Sequence, residues 1–325
     1  MPLMSLATAH AWTTGIFELH GASPIAAQST ARALVAAEAD GLKGHGLSRI
    51  PTYAAMLKSG KVNGSAVPVV RQLKPGAILV DAACGFAYPA IDLACAALPQ
   101  LARTNGIAIA GIVRSGHAGA IGHHVERLAE QGFVALLFAN TPAAISPWGG
   151  SKAVFGTNPL AFAAPLRGRP PLVVDMAVSK VARATVVAAK QAGRPIPEGW
   201  ALDADGHPTT DASAGLAGTM VAMGEAKGTA LALMVEVLGA ALVGSHLSFE
   251  ATSFMDAEGG PPETGQSIIA IDPAGLGGGN FGASMTRLVE AIESQPGARL
   301  PGMRRLAARA KAAADGVDVP DSLGR

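Results

Sequence analysis

GIAIAGIVRSGHAGAIGHHVERLAEQGFVALLFAN, residues 106–140, sets the fold class. GIAIAGIVRS (106–115) is short, apolar and strand-like, and FVALLFAN (133–140) is a second apolar run of strand length. Between them VERLAEQG (125–132) has helical spacing and closes on Gly132. A strand, a loop, a helix and a strand in that order make an α/β chain. The loop, SGHAGAIGHH (115–124), carries Gly116, Gly119 and Gly122. Glycines there let backbone amides approach an anion at a helix N-terminus, although an ordinary flexible loop has the same composition.

Outward from this segment the alternation continues. GAILVDAAC (76–84), NPLAFAAP (158–165), PLVVDMA (171–177) and SIIAIDP (267–273) read as further strands. Residues 5–45 carry helical patterning, with Ser23-Pro24 starting a second helix. Helices are also expected from Pro89 to about Asn105, from Gly224 to Val243, and over MTRLVEAIESQ (285–295), with a basic, Ala-rich tail after the last. The hexamer Gly277 to Gly282 spells G-x-G-x-x-G but is a poor dinucleotide fingerprint, because no second parallel strand follows it.

Composition narrows the function. Hydrophobic residues make up 49% and charged residues 15%, so much of the chain must be buried in itself or in a partner, which points to an oligomer. A formal net charge of +1 without a basic block argues against nucleic acid as a partner. GTALALMVEVLGAALVG (228–244) is too short for a membrane span and carries Glu236 in its middle. Cys84 and Cys95 have no metal or disulfide spacing, and no leader pattern opens the chain, so a cytoplasmic setting is expected. Asp203 and Asp205 resemble a calcium loop but lack its downstream ligands, so no metal site is expected.

The most informative residues for chemistry are His45 and Arg49, in DGLKGHGLSRIPTY (40–53). If this run is helical, their spacing sets both on one face, one turn apart. A guanidinium that grips a carboxylate beside an imidazole that handles a proton suits reactions next to an acid group. The bland alternative is a solvated helix face.

Taken in order, HGLSRIPTY (45–53), SGKVNG (59–64), GHAGAIGHH (116–124), FGTNPLAFAAP (155–165), VVDMAVSK (173–180), AKGTALALMVEVL (226–238), TGQSIIAIDP (264–273) and RLPGMRR (299–305) resemble the type 2 malate/L-lactate dehydrogenase family. Within it, AVPVV (66–70), DAACGFAYPA (81–90), SFE (248–250) and RLPGMRR are most similar to the Δ1-piperideine-2-carboxylate/Δ1-pyrroline-2-carboxylate reductases. The resemblance implies an α/β fold with a non-Rossmann NAD(P)-binding domain built on a mixed, largely antiparallel sheet. That domain would occupy residues 75–250, with residues 1–74 and 251–325 forming a helical, dimerising and substrate-binding portion of a homodimer.

The resemblance also implies roles. His45 matches a proton donor, Arg49 the residue holding the substrate carboxylate, and Thr157 a substrate contact. His117 is the second candidate for acid/base work. Cofactor contacts fall on His117, Ala118, Gly119, Ala120 and Ile121; on Asp175, Met176 and Ala177; and on Ala226 and Lys227. They continue over Arg299, Leu300, Pro301, Gly302, Met303, Arg304 and Arg305. The arginines of the last segment would favour NADPH, with NADH possible, by pairing with a 2′-phosphate. A solvated basic tail is the other reading of them.

Two departures from the family stand out. Gly44 replaces the usual Ser before the histidine, and Thr185 replaces the reductases' Asp. Without that relay the His45 ring is expected to be less fixed and its pKa lower. A cyclic imine that enters protonated needs little side-chain help, so the expected reaction is NADPH-dependent reduction of a cyclic imino acid to L-proline or L-pipecolate. The alternatives are a malate, lactate or ureidoglycolate dehydrogenase and a non-catalytic NADPH-binding paralogue.

Overall fold

α1 (Leu6–Leu19) begins at Ser5, whose hydroxyl accepts from the Thr8 amide. α2 (Pro24–Ala39) begins at Ser23 with proline in its first turn. The structure, a computed structural model, describes residues 3–276 and 279–319; Gly277 and Gly278 of the glycine-rich hexamer lie outside the described residues. After α3 (Ile50–Ser59) come β1 (Val69–Lys74), β2 (Ala77–Asp81), α4 (Ala87–Asn105), β3 (Ile107–Ser115), α5 (Gly122–Ala129), β4 (Val134–Ala139), β5 (Leu160–Leu166) and β6 (Arg169–Met176). The chain continues through α6 (Arg183–Gln191), β7 (Ala201–Leu202), β8 (Pro208–Thr209), α7 (Ala212–Ala217), β9 (Thr219–Met220) and α8 (Ala226–Glu236). It ends with β10 (Thr264–Ile271), α9 (Phe281–Glu293) and α10 (Met303–Asp315).

Seven strands form one sheet in the order β1-β2-β3-β10-β4-β5-β6. Only β2 and β3 run parallel, joined by α4 as the crossover; every other pairing in this sheet is antiparallel. This is the expected mixed, largely antiparallel, non-Rossmann sheet. Its centre is β10, which arrives late in the chain and slots between β3 and β4, with Ile268 opposite both Ala110 and Leu137. The sheet therefore draws β1 and β10 from outside residues 75–250.

Three apolar clusters hold the molecule. Ile91, Leu98, Val125 and Leu128 of α4 and α5 pack on Ile112, Leu137 and Ile268 of the main sheet. A helical cluster joins α1, α2 and α3 to Ala312 and Val317 from the other end of the chain, and Met4 and Val317 exchange backbone hydrogen bonds. The third cluster lies around the small sheet β8-β7-β9 and includes Val186 of α6 and Ala232 of α8.

Two expectations change. The helix predicted up to Val243 leaves regular α geometry after Glu236 for a π turn, Val237–Ala241. There Gly239 approaches the backbone so closely that a Cβ would sit 3.0 Å from the Asn140 amide nitrogen. The basic tail is the helix α10, docked because Arg305 and Arg309 pair with Asp40 of the α2 end and Glu126 of α5.

Candidate active site

His45 and Arg49 do not share an α-helix. Lys43–His45 and Leu47–Arg49 are separate 3-10 turns, with Gly46 between them at φ −95°, ψ −144°. Glu38 of α2 causes the break. Its buried carboxylate takes the Lys43 ammonium and the Leu47 amide (2.9 Å), and a Cβ on Gly46 would overlap it.

The side chains nevertheless converge on His117. The rings of His45 and His117 stack with centroids 5.3 Å apart and planes 16° from parallel. Tyr53, one turn into α3, places its hydroxyl 2.5 Å from His117 Nδ1 and 3.1 Å from the Tyr88 hydroxyl. The Arg49 guanidinium lies 5.6 Å from the Tyr53 ring centroid. Phe254 brings its ring to 5.3 Å from that of His117.

Both imidazoles are held neutral. Burial, then the charge of Arg49, then His123 lower the pKa of His45 to about 4. Burial, Arg49 and His45 push His117 well below its ordinary value. They differ in support, since His117 Nδ1 is engaged by Tyr53 while buried His45 Nδ1 has no partner among the described residues. A Cβ at Gly44 would stand 3.6 Å from the Ala184 Cβ, so the two departures, Gly44 and exposed Thr185, fall in adjoining segments.

Arg49 is 7% exposed and pairs with no carboxylate among the described residues. Its terminal nitrogens donate to Phe254 O (3.3 Å) and to Met255 Sδ (3.2 Å), while its buried Nε has no partner among the described residues. A desolvated guanidinium with an idle donor fits an incoming carboxylate.

The segments expected to hold a cofactor meet around the end of β6. The Gly122 amide donates to Asp175 Oδ2 at 2.7 Å. Burial raises the pKa of Asp175, against the opposing pull of that amide and of His123 and Arg305. Gly302, at φ 84°, lies over Val173, where a Cβ would be 3.4 Å from its carbonyl oxygen. The Val178 amide donates to Thr157 O and the Met223 amide to Val178 O, which ties Thr157 and the turn before Ala226 and Lys227 to Ala177. Thr157 itself is set by its amide donating to Thr141 Oγ1 (2.9 Å). Its neighbour Asn158, at φ 37°, is held by Glu236 (2.7 Å).

These residues suit a phosphate-bearing group. Among the described residues, the amides of His117, Ala118, Gly119, Ala120 and Ile121 donate to no protein acceptor. Gly119 has φ 69°, and a Cβ on it would come to 2.7 Å from the Tyr88 hydroxyl, so the loop tolerates no bulk there. Arg299 and Arg304 are exposed and form no ion pair among the described residues; Leu300 is buried, and Pro301 and Met303 are exposed. Arg305 is different, because Asp40 and Glu126 already hold both terminal nitrogens of its guanidinium. Asp203 Oδ1 accepts the Asp205 and His207 amides in an exposed turn.

The residues the sequence reading missed are Tyr53, Phe254 and Met255. Tyr53 had a usable signal, four positions after Arg49. Phe254 and Met255 had none, being some two hundred positions away.

A profile of the malate/L-lactate dehydrogenase family matches residues 4–325. The chain belongs to this family. It is 46% identical over 321 residues to a protein of Chromohalobacter salexigens named (2R)-3-sulfolactate dehydrogenase (NADP(+)), covering 99% of this chain and 96% of that one. It is 42% identical to a Pseudomonas aeruginosa protein named Δ1-pyrroline-2-carboxylate/Δ1-piperideine-2-carboxylate reductase, covering 95% of this chain and 93% of that one. The crystal structure of Δ1-piperideine-2-carboxylate reductase from Pseudomonas syringae pv. tomato superposes with a TM-score of 0.94 at 39% identity, over 99% of this chain and 97% of that one. Family members so named are enzymes, and this chain is an NAD(P)H-dependent oxidoreductase. No described helix is long and apolar enough to cross a membrane.

Proposed function

We propose that this enzyme reduces a cyclic imino acid, Δ1-pyrroline-2-carboxylate or Δ1-piperideine-2-carboxylate, to the L-amino acid with NADPH. The observation that carries the reading is Arg49, a buried guanidinium free of any described carboxylate, beside two imidazoles kept neutral. Arg49 binds the substrate carboxylate through its idle Nε and through whichever terminal nitrogens the loop releases. Residues 117–121, Asp175–Ala177, Ala226-Lys227, Arg299 and Arg304 hold the cofactor, which when bound supplies a hydride to the imine carbon. The imine nitrogen carries its own proton into a water-poor site, so little acid catalysis is asked of the protein. His117, fixed through Nδ1 by Tyr53, is the better placed of the two imidazoles to exchange a proton at Nε2. His45, lacking a partner at Nδ1, stacks against it and excludes water.

A second reading, a 2-hydroxy-acid dehydrogenase acting on a sulfolactate-like acid, is favoured by the 46% identity to the C. salexigens protein. The non-catalytic alternative gains nothing from these comparisons. Initial rates with Δ1-pyrroline-2-carboxylate, Δ1-piperideine-2-carboxylate, sulfolactate, malate, lactate and ureidoglycolate, with either nicotinamide cofactor, separate the readings. Faster turnover of any hydroxy acid defeats the imino-acid proposal. A cytoplasmic homodimer belongs to the same proposal, supported by exposed Leu233, Val237, Leu242 and Phe249 on and after α8, and sedimentation velocity tests the dimer.

A further inference from the structure

Residues 252–260 form an irregular loop on one side of the site, tied at its base by Thr252 Oγ1 donating to Gly260 O at 2.8 Å. A single side chain reaches into it from the turn after α3. Lys61 is 1% exposed, and its ammonium donates to Asp256 O and Asp256 Oδ1 (3.2 Å each) and to Glu258 O (2.6 Å). A buried ammonium is costly unless its donors are satisfied, and here one short loop takes all of them. So anchored, the loop lays Phe254 against His117 and occupies both terminal nitrogens of Arg49 with Phe254 O and Met255 Sδ.

We infer that residues 252–260 are the specificity wall of the site and that Lys61 is the residue positioning it. A substrate held by its carboxylate at Arg49 meets an apolar face made by Phe254 and Met255, and the Lys61 ammonium behind it already has its donors taken by Asp256 and Glu258. The wall selects monoanionic acids with an apolar remainder and turns away acids bearing a second anionic group, whose charge would be desolvated without a partner. This deepens the proposed function and rests on it for the role of Arg49 as carboxylate clamp.

The test compares kcat/KM for two monoanions, Δ1-pyrroline-2-carboxylate and pyruvate, with two dianions, oxaloacetate and sulfopyruvate, with NADPH as reductant. Wild type is expected to prefer the monoanions. Met255→Lys, at a residue that is 47% exposed, is expected to shift the dianion-to-monoanion ratio upward by about tenfold or more. Lys61→Met is expected to raise KM for the monoanions by about tenfold while kcat changes by less than about threefold, a split that general loss of structure does not produce. An unchanged ratio in Met255→Lys, or a wild-type preference for dianions, overturns the inference. If pyruvate is reduced and no imino acid is, the proposed substrate class fails, while the pyruvate-to-oxaloacetate ratio still decides the wall.

Discussion

The Tyr53 hydroxyl sits 2.5 Å from His117 Nδ1, and the Tyr88 hydroxyl stands 3.1 Å behind it, both rings fully enclosed. A buried hydroxyl in that position fixes the ring plane and the tautomer of the imidazole, much as outer partners orient metal-bound histidines. Tyr53→Phe keeps the packing and removes the hydroxyl with its bonds to His117 and Tyr88. It should lower kcat by about ten- to a hundredfold, leave the substrate KM nearly unchanged and move the pH profile. An unaltered kcat and pH profile would show that His117 handles no proton.

The orphaned His45 Nδ1 makes a second prediction. Gly44→Ser introduces a Cβ at ordinary contact distance from Ala184, so it is accommodated, and Thr185→Asp adds the missing anion nearby. The double variant should raise the His45 pKa from about 4 by about one unit or more, followed by NMR titration of the imidazole. Oxidation of hydroxy acids should gain relative to imine reduction. A His45 pKa that stays in place would mean the relay positions do not reach the ring.

The arginines of RLPGMRR divide into two roles. Arg304→Ala should raise the NADPH KM by about tenfold with little change for NADH, because an exposed, unpaired guanidinium is available to a 2′-phosphate. Arg305→Ala should instead cost about 2 kcal/mol of stability, since it leaves Arg309 as the remaining guanidinium on the buried carboxylates of Asp40 and Glu126. Equal effects of Arg304→Ala on both cofactors would refute the phosphate role.

Acid should unfold the protein through its buried imidazoles. Burial is the chief cause lowering the pKa of His45 and His124 to about 4 and that of His117 well below its ordinary value. An unfolded chain takes up protons near pH 6.5 that the folded state refuses, so this stability is complete above that pH and is lost as pH falls toward 4. Urea unfolding at stepped pH should show the slope, and His124→Gln should reduce it by about one proton. A flat profile over this window would mean that these rings are protonated in the native state.

The strands around residues 106–140 were legible because continuous apolar runs leave few alternatives once both faces are covered, as they are by α4 and α5 on one side of β3 and β4. Their partnership with β10 was not, since antiparallel insertion of a late strand leaves no local periodicity. The break at Gly46 was hidden for a similar reason: it depends on the Glu38 carboxylate of another helix, and local spacing alone argued for one continuous turn. The docking of α10 depends on Asp40 and Glu126, so Arg305 looked free in sequence and is not. β7, β8 and β9 are two residues each, below the length at which a pattern can register.

The most direct measurement is kcat/KM for Δ1-pyrroline-2-carboxylate with NADPH in wild type, Arg49→Lys and Arg49→Ala. If Arg49 clamps the carboxylate, the alanine variant should lose about a hundred- to a thousandfold, and lysine, which keeps the charge without the fork, should fall between. Values for all three within about threefold of one another would contradict the account.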